Sequence, residues 1–362
     1  VSNLIHDRVS ASIIYLSQLI DAQTGQMPVY GSNDGALVLP LNNCDFTDYR
    51  PLLQLGSYIT NKKLSFEPRP WNEDIYWIYG STPLSLTPSA LEKQSGLETA
   101  FPHGGIYLLH GANSRTIIRC TDFRSRPSHA DQLHVDLWMH GNNIACDAGT
   151  YLYSGEDMWR NGFARTAVHN TVTVDHRDQM KMLTRFTWTN WARGKVLQHT
   201  ETMWRGEHDG YQRLYDPVNH KRTVLSVGGD RWLIVDHLTG KQNHHYALHW
   251  LLADVPSEQH KNILLLSFDS VKYKMQVGLT EGTSSFSVVR GDETSTRGWR
   301  SRHYGDKEPA ISAMLESEQP RACFWTFFGF EEDMVQVEGE TFKLLSPDLN
   351  ASINLQSLLI NY

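Results

Sequence analysis

The chain has 362 residues, 40% of them apolar and 20% charged, with a formal net charge of -7. That composition specifies a folded protein with a sizeable core and about two domains, and excludes a disordered chain. The acidic total offers no bulk attraction to nucleic acid or anionic membrane, and no apolar run reaches membrane-spanning length, so membrane insertion is not expected.

The chain opens at Val1 without methionine or signal peptide, which reads as a processed or truncated start. Val9, Ile13, Leu16 and Ile20 recur at helical spacing and predict a first helix. Tyr49, Leu52, Leu53 and Tyr58 predict a second, with Asp48 as its N-cap and Pro51 in the tolerated first turn. Between them lies a loop containing Gly31, Ser32, Asn33, Asp34 and Gly35. Asn72, Glu73 and Asp74 open a third helix that runs to Gly80. Residues 1–85 therefore read as helical. The boundary falls in the Ser/Pro/Thr-rich stretch 81–100, and residues 86–362 form the second domain.

From about Gly104 the period changes to two. Leu133, Val135, Leu137 and Met139 alternate with His134, Asp136, Trp138 and His140. Strands follow one another without helices, so the sheets should be antiparallel and packed as a sandwich. The fold class is α+β and multidomain: a short helical segment, then a large antiparallel β-sandwich. Cys44, Cys120, Cys146 and Cys323 lie far apart and make no cysteine zinc site.

The stretch Ser128–Tyr153 carries His129, His134, His140, Asp131, Asp136 and Asp147. Three neighbouring strands would bring His129, Asp147 and His169 together. Two imidazoles and a carboxylate, with water as the fourth ligand, suit tetrahedral zinc. The spacing matches no fixed motif, and the same residues also read as polar groups in sheet hydrogen bonds, with Asp147 as an ordinary turn residue.

The run HADQLHVDLWMHGNNIACDAGTYLY, followed by WRNGFARTAVHNTVTVD, resembles the heparinase II/III-like family of polysaccharide lyases. GSNDGALVLPL and DYRPLLQL upstream resemble the last helices of that family's α/α toroid. The resemblance covers at least residues 25–180 and implies a toroid followed by antiparallel β-sandwich domains. It implies that His129, Asp147 and His169 hold a Zn2+ ion that supports the site, with Asp131, Asp136 and Asn170 as candidate partners behind them. It further implies β-elimination next to uronic acids, with an acidic polysaccharide or oligosaccharide as partner. The family's catalytic tyrosine and asparagine lie in the toroid, and the resemblance puts them upstream of Val1. Many relatives carry a catalytic histidine two positions before the metal histidine; here that position is Pro127.

His134 is the nearest substitute as a catalytic base, and reads also as a surface or sheet-pairing histidine. Arg124 and Arg126 enter the histidine segment, with Arg115 and Arg119 on the strand before it; they read either as carboxylate-holding groups or as a solvated edge strand protected by charge. Arg165 precedes His169; a guanidinium there would grip a carboxylate with two prongs. Tyr151 and Tyr153 alternate with Leu152, so both could face the cleft for sugar stacking or a proton relay; core packing with a buried hydroxyl bond is the other reading. His208, Asp209, Gly210, Tyr211, His220 and Arg222 form a second polar cluster, read as structural first and cleft-lining second. Two further functions stay open: a non-catalytic carbohydrate-binding or scaffold protein, and a metal-dependent hydrolase. The residues leave the compartment open; a polymer substrate favours the cell envelope or export.

Overall fold

The computed structural model describes residues 2–67, 69–88, 99–269 and 271–358. They fall into two compact units, Val1–Pro28 with Asp34–Phe101, and Val29–Asn33 with Pro102–Tyr362. The boundary expected at 81–100 falls partly on 89–98, outside the described residues.

In the first unit the predicted apolar stripe forms the helix Asn3–Leu19. Ile13 and Ile20 bury against Leu53 of the helix Arg50–Asn61, with Val9, Leu16 and Tyr49 around them. Gly56 lets the two helices approach: a Cβ there would lie 2.0 Å from Ile13 Cδ1. The cap of the second helix is Tyr49, not Asp48. Asp48 still serves the helix start, because its Oδ1 accepts the Arg50 amide at 3.0 Å. The third helix, Glu73–Tyr79, begins after Asn72 and stops at Gly80, whose φ of 75° suits glycine.

The second unit is an antiparallel β-sandwich built around two long strands, Arg231–Leu252 and Ile311–Phe330. They pair with each other along their length, with a register shift between Thr239 and His244. Before that shift, Arg231–Leu252 pairs on its other edge with Asn219–Gly228. Beyond it, the same edge takes Val172–Val174 and then Ala145, the end of strand Asn142–Ala145. The partner strand changes neighbours likewise, from Ser285–Arg290 to Val271–Leu279. The long pair thus passes from one layer to the other. Trp232 of one layer donates its Nε1–H to Ser114 Oγ of the other at 3.0 Å, and Trp250 meets Phe328 edge-on at 5.0 Å. Both tryptophans are fully buried, and Trp250 Nε1–H finds Thr326 Oγ1 at 3.0 Å. These large rings bury apolar area while their polar tips stay paired.

Val29–Asn33 belongs to the sandwich because its polar groups are paired there. Asn33 N donates to Thr150 Oγ1 at 2.8 Å, Asn33 Nδ2 to Arg302 O at 3.0 Å, and Tyr30 OH to Gly104 O at 2.6 Å.

At the bend, His244 is 5% exposed and sits between two carboxylates. Its Nδ1 lies 2.8 Å from Asp175 Oδ2 and its Nε2 2.9 Å from Asp216 Oδ2. Only the protonated ring can donate to both. Burial opposes that charge, but the hydrogen bonds to Asp175 and Asp216 outweigh it and raise the ring's pKa. A raised pKa gives stability that is complete below the unfolded value and is lost as pH rises through the folded one. The difference in urea midpoint between the wild type and His244→Gln should therefore narrow as pH rises from about 5 to about 8.

Candidate metal centre and cleft

Three loops, not three adjacent strands, bring the expected ligands together. His129 precedes the strand Val135–Met139. Its backbone is clamped on both sides: Trp188 Nε1–H donates to Ser128 O at 3.0 Å, and Ala130 N to Ala164 O at 2.9 Å. Asp147 follows the strand Asn142–Ala145, and its Oδ1 accepts the Gly149 amide at 2.7 Å. Gly149 has φ 76°, and a Cβ there would meet Ser301 O at 1.9 Å, so the Asp-Ala-Gly turn needs its glycine. His169 ends the 3-10 turn Thr166–Val168, just before Val172–Val174. The strands Asn142–Ala145 and Val172–Val174 do not pair with each other; each pairs with Arg231–Leu252.

One ligand atom from each of His129, Asp147 and His169 lies within 4.8 Å of the others, and all three residues are buried. His169 Nδ1 is 3.1 Å from Asp147 Oδ2, without the alignment of a hydrogen bond. Both ring nitrogens of His169 and Nδ1 of His129 are buried without a hydrogen-bond partner. A buried polar atom left alone is costly, so such nitrogens point to a missing partner.

Electrostatics readies the trio for a cation. Burial works to raise the Asp147 pKa, but His169, His134 and His129 outweigh it and hold the carboxyl well below its usual range. Burial, reinforced by His169, pushes His129 down to about 4, so its ring is neutral near pH 7. Burial also opposes charge on His169, but Asp147 prevails and raises its pKa. One ionised oxygen and two imidazoles form a donor set of the kind that holds zinc.

His134 does not reach the cleft as a base. It is 4% exposed. Its Nδ1 accepts the Asn170 amide at 3.0 Å, which leaves Nε2–H to donate to Asp136 Oδ2 at 3.1 Å. With both nitrogens engaged, the ring steadies the site, 3.7 Å from Asp147 Oδ2. Asn170, also named from the motif, ties three segments together. Its Nδ2 donates to Val135 O at 2.9 Å and Cys146 O at 3.1 Å, and its Oδ1 accepts Leu251 N at 2.6 Å. Asp131 is 2.6 Å from Arg119 Nε, which withdraws that arginine from any substrate role.

A cleft opens beside His129, lined by Ser32, Arg126, Pro127, Tyr153, Arg185 and Phe186 among others. Of the residues expected to bind substrate, Arg126 and Tyr153 are in this lining. Arg124 is exposed and outside this lining, and Arg165 is held by Asp178 at 2.8 Å. Tyr151 takes the packing alternative. Its φ of 52° breaks the strand alternation, so its ring turns away and packs on Trp159 and Phe163 at 5.5 and 5.6 Å. Arg185 and Phe186 were missed, because a two-residue turn within TRFT carries no motif; an arginine beside an aromatic at a hairpin tip was the available signal.

The second polar cluster is internal. Gly210 N donates to His208 Nδ1 at 3.1 Å, so His208 Nε2–H donates to His220 Nδ1 at 3.1 Å, and His220 Nε2–H to Asp236 Oδ1 at 2.7 Å. Burial lowers the pKa of both histidines, which stay neutral. Arg222 holds Asp236 with two prongs, at 2.7 and 2.8 Å, and donates to Leu133 O at 2.7 Å and to Asn170 O. The cluster braces the peptide on either side of the metal centre.

The chain belongs to the heparinase II/III-like family: the description "Heparinase II/III-like, C-terminal" matches residues 94–328. It is 25% identical to a heparin-sulfate lyase of Pedobacter heparinus over 309 residues, 80% of this chain and 41% of that protein. A heparin-sulfate lyase of Bacteroides stercoris is 32% identical over 120 residues, 32% of this chain and 16% of that one. A solved heparinase III matches 94% of this chain and 51% of its own at 16% identity, with a TM-score of 0.65. The heparan sulfate lyase HepC from Pedobacter heparinus matches 95% and 52% at 16% identity, with a TM-score of 0.64. The chain therefore spans about half the length of these solved relatives and less of the curated ones.

Because Arg222 and Asp236 are both fully buried, Arg222→Ala strands a carboxylate and frees two carbonyls. It should cost about 3–5 kcal/mol in urea denaturation, far more than a surface arginine.

Proposed function

We propose that this chain is the metal-holding, substrate-binding β-part of a lyase that cleaves uronic-acid-containing polysaccharide by β-elimination. The observation that carries the reading is the buried trio His129, Asp147 and His169, with unpartnered nitrogens, beside a cleft that presents Arg126 and Tyr153. The likeness to heparin-sulfate lyases supports the reaction class and an acidic polymer as partner. A polymer substrate would place the work at the cell envelope or outside the cell.

The donor set fits zinc, held by His129, Asp147 and His169. Bound there, the ion supplies a fixed positive charge that ties three loops into one rigid floor. His134, Asp136 and Asn170 hold those loops in place. β-Elimination removes the proton beside the uronate carboxylate and expels the oxygen on the next carbon, leaving a double bond. Negative charge grows on the carboxylate as the proton leaves, so a nearby cation lowers the barrier. Arg126 supplies that charge from the cleft wall, and Tyr153 orients the sugar. On this reading the proton transfers fall to a tyrosine of the toroid, because His134 is locked in its own hydrogen bonds.

Metal analysis of the purified chain should give about one zinc ion per molecule. His129→Ala and Asp147→Ala should each reduce it to background. With the full-length protein, a uronate polymer should yield an unsaturated product that absorbs in the ultraviolet. A new reducing end without unsaturation would indicate hydrolysis instead. Saturable binding without turnover would leave a carbohydrate-binding protein of the same fold.

A further inference from the structure

The strands Lys181–Thr184 and Thr187–Thr189 form a small hairpin in which Thr184 pairs with Thr187. Arg185 and Phe186 make up its two-residue tip. The base is fixed: Trp188 is buried and bonded to Ser128 O at 3.0 Å, next to His129, and Asn161 Nδ2 donates to Arg185 O at 2.7 Å. The tip is left in solvent, with Phe186 44% exposed.

Two guanidiniums converge on that ring. Arg126 lies 5.5 Å and Arg185 5.9 Å from the Phe186 centroid, and Tyr153 meets the ring edge-on at 5.0 Å. All four side chains line the cleft beside His129. Three arginines of this region are neutralised, Arg119 by Asp131, Arg165 by Asp178 and Arg222 by Asp236. Among the described residues Arg126 and Arg185 form no ion pair, although the chain carries a net charge of -7. Two like charges beside one exposed ring, on a rigid base and with no carboxylate paired to either among the described residues, attract an anion. A guanidinium fork suits sulfate and carboxylate alike.

We propose that Arg126 and Arg185, splayed across Phe186 at the hairpin tip, clamp an anionic substituent, sulfate or carboxylate, of a sugar chain entering the cleft. The clamp rests on the acidic-polysaccharide reading above and adds to it a subsite that selects substrate by charge. Arg185 and Phe186 are its new members.

Calorimetric titration tests it, with a heparan sulfate oligosaccharide, the same oligosaccharide desulfated, and the same oligosaccharide carboxyl-reduced as probes. Arg126→Ala and Arg185→Ala should each weaken binding of the parent oligosaccharide about tenfold. Arg185→Lys should recover only part of the loss, because an ammonium lacks the fork. Phe186→Ala should weaken binding without changing charge. Arg321→Ala should bind as the wild type does, and zinc content and melting temperature should stay unchanged in all variants. Loss of binding on desulfation assigns the clamp to sulfate; loss on carboxyl reduction assigns it to carboxylate. Equal binding of all three probes overturns the clamp. So does wild-type affinity in Arg126→Ala and Arg185→Ala, and in that case the polysaccharide reading stands. If the wild-type chain binds none of the probes, both proposals fall together.

Discussion

Burial of Asp147 among imidazoles is the constraint on which the site depends. A carboxylate removed from water must stay neutral or find positive charge and donors. Here one oxygen is committed to the Gly149 amide, and the other faces His169 and His134. The imidazoles depress its pKa, so the charge persists inside the protein. Neutral His129 and ionised Asp147 then share one small volume with nitrogens that bond to nothing else. A cation would relieve all of these at once, which supports the proposed metal centre.

Such a centre holds only if its loops cannot drift. Asn170 secures them by tying Val135, Cys146 and Leu251 together. Arg222 secures them from behind, joining the carbonyls of Leu133 and Asn170 to buried Asp236. The chain His208–His220–Asp236 is oriented from one end by the Gly210 amide and from the other by the accepting Asp236 carboxylate, because each neutral imidazole donates from one nitrogen and accepts at the other. A polar network this deep is stable only when every member is satisfied, so its removal should be felt at the metal centre as well as in overall stability.

The sandwich supplies the frame for this network. Its two long strands cross from one layer to the other at the shift between Thr239 and His244, so one hydrogen-bonded pair belongs to both layers. The edge that binds Asn219–Gly228 in one layer binds Val172–Val174 and Ala145 in the other. That shared edge carries Arg222 and Asp236 toward Leu133 and the loop of His169. The cleft beside His129 is lined by Arg126 and by Arg185 from a separate, small hairpin.

Local pattern alone determined much of this protein. The stripe Val9, Ile13, Leu16 and Ile20 made a helix, the switch to period two made antiparallel strands, and the motif residues His129, Asp147 and His169 do meet. Helix and strand periodicity follow from backbone geometry that each residue samples with its neighbours, so they are written locally. Which polar residues face the cleft was decided only by the tertiary structure. Tyr151 left the expected face through a single positive φ, and His134 lost its role to an amide 36 residues away. Arg165 and Arg119 were taken by Asp178 and Asp131, while Arg185 arrived from a hairpin with no motif. A charged side chain acts through whatever lies within a few ångströms of it, and those neighbours come from distant parts of the chain that only folding brings together.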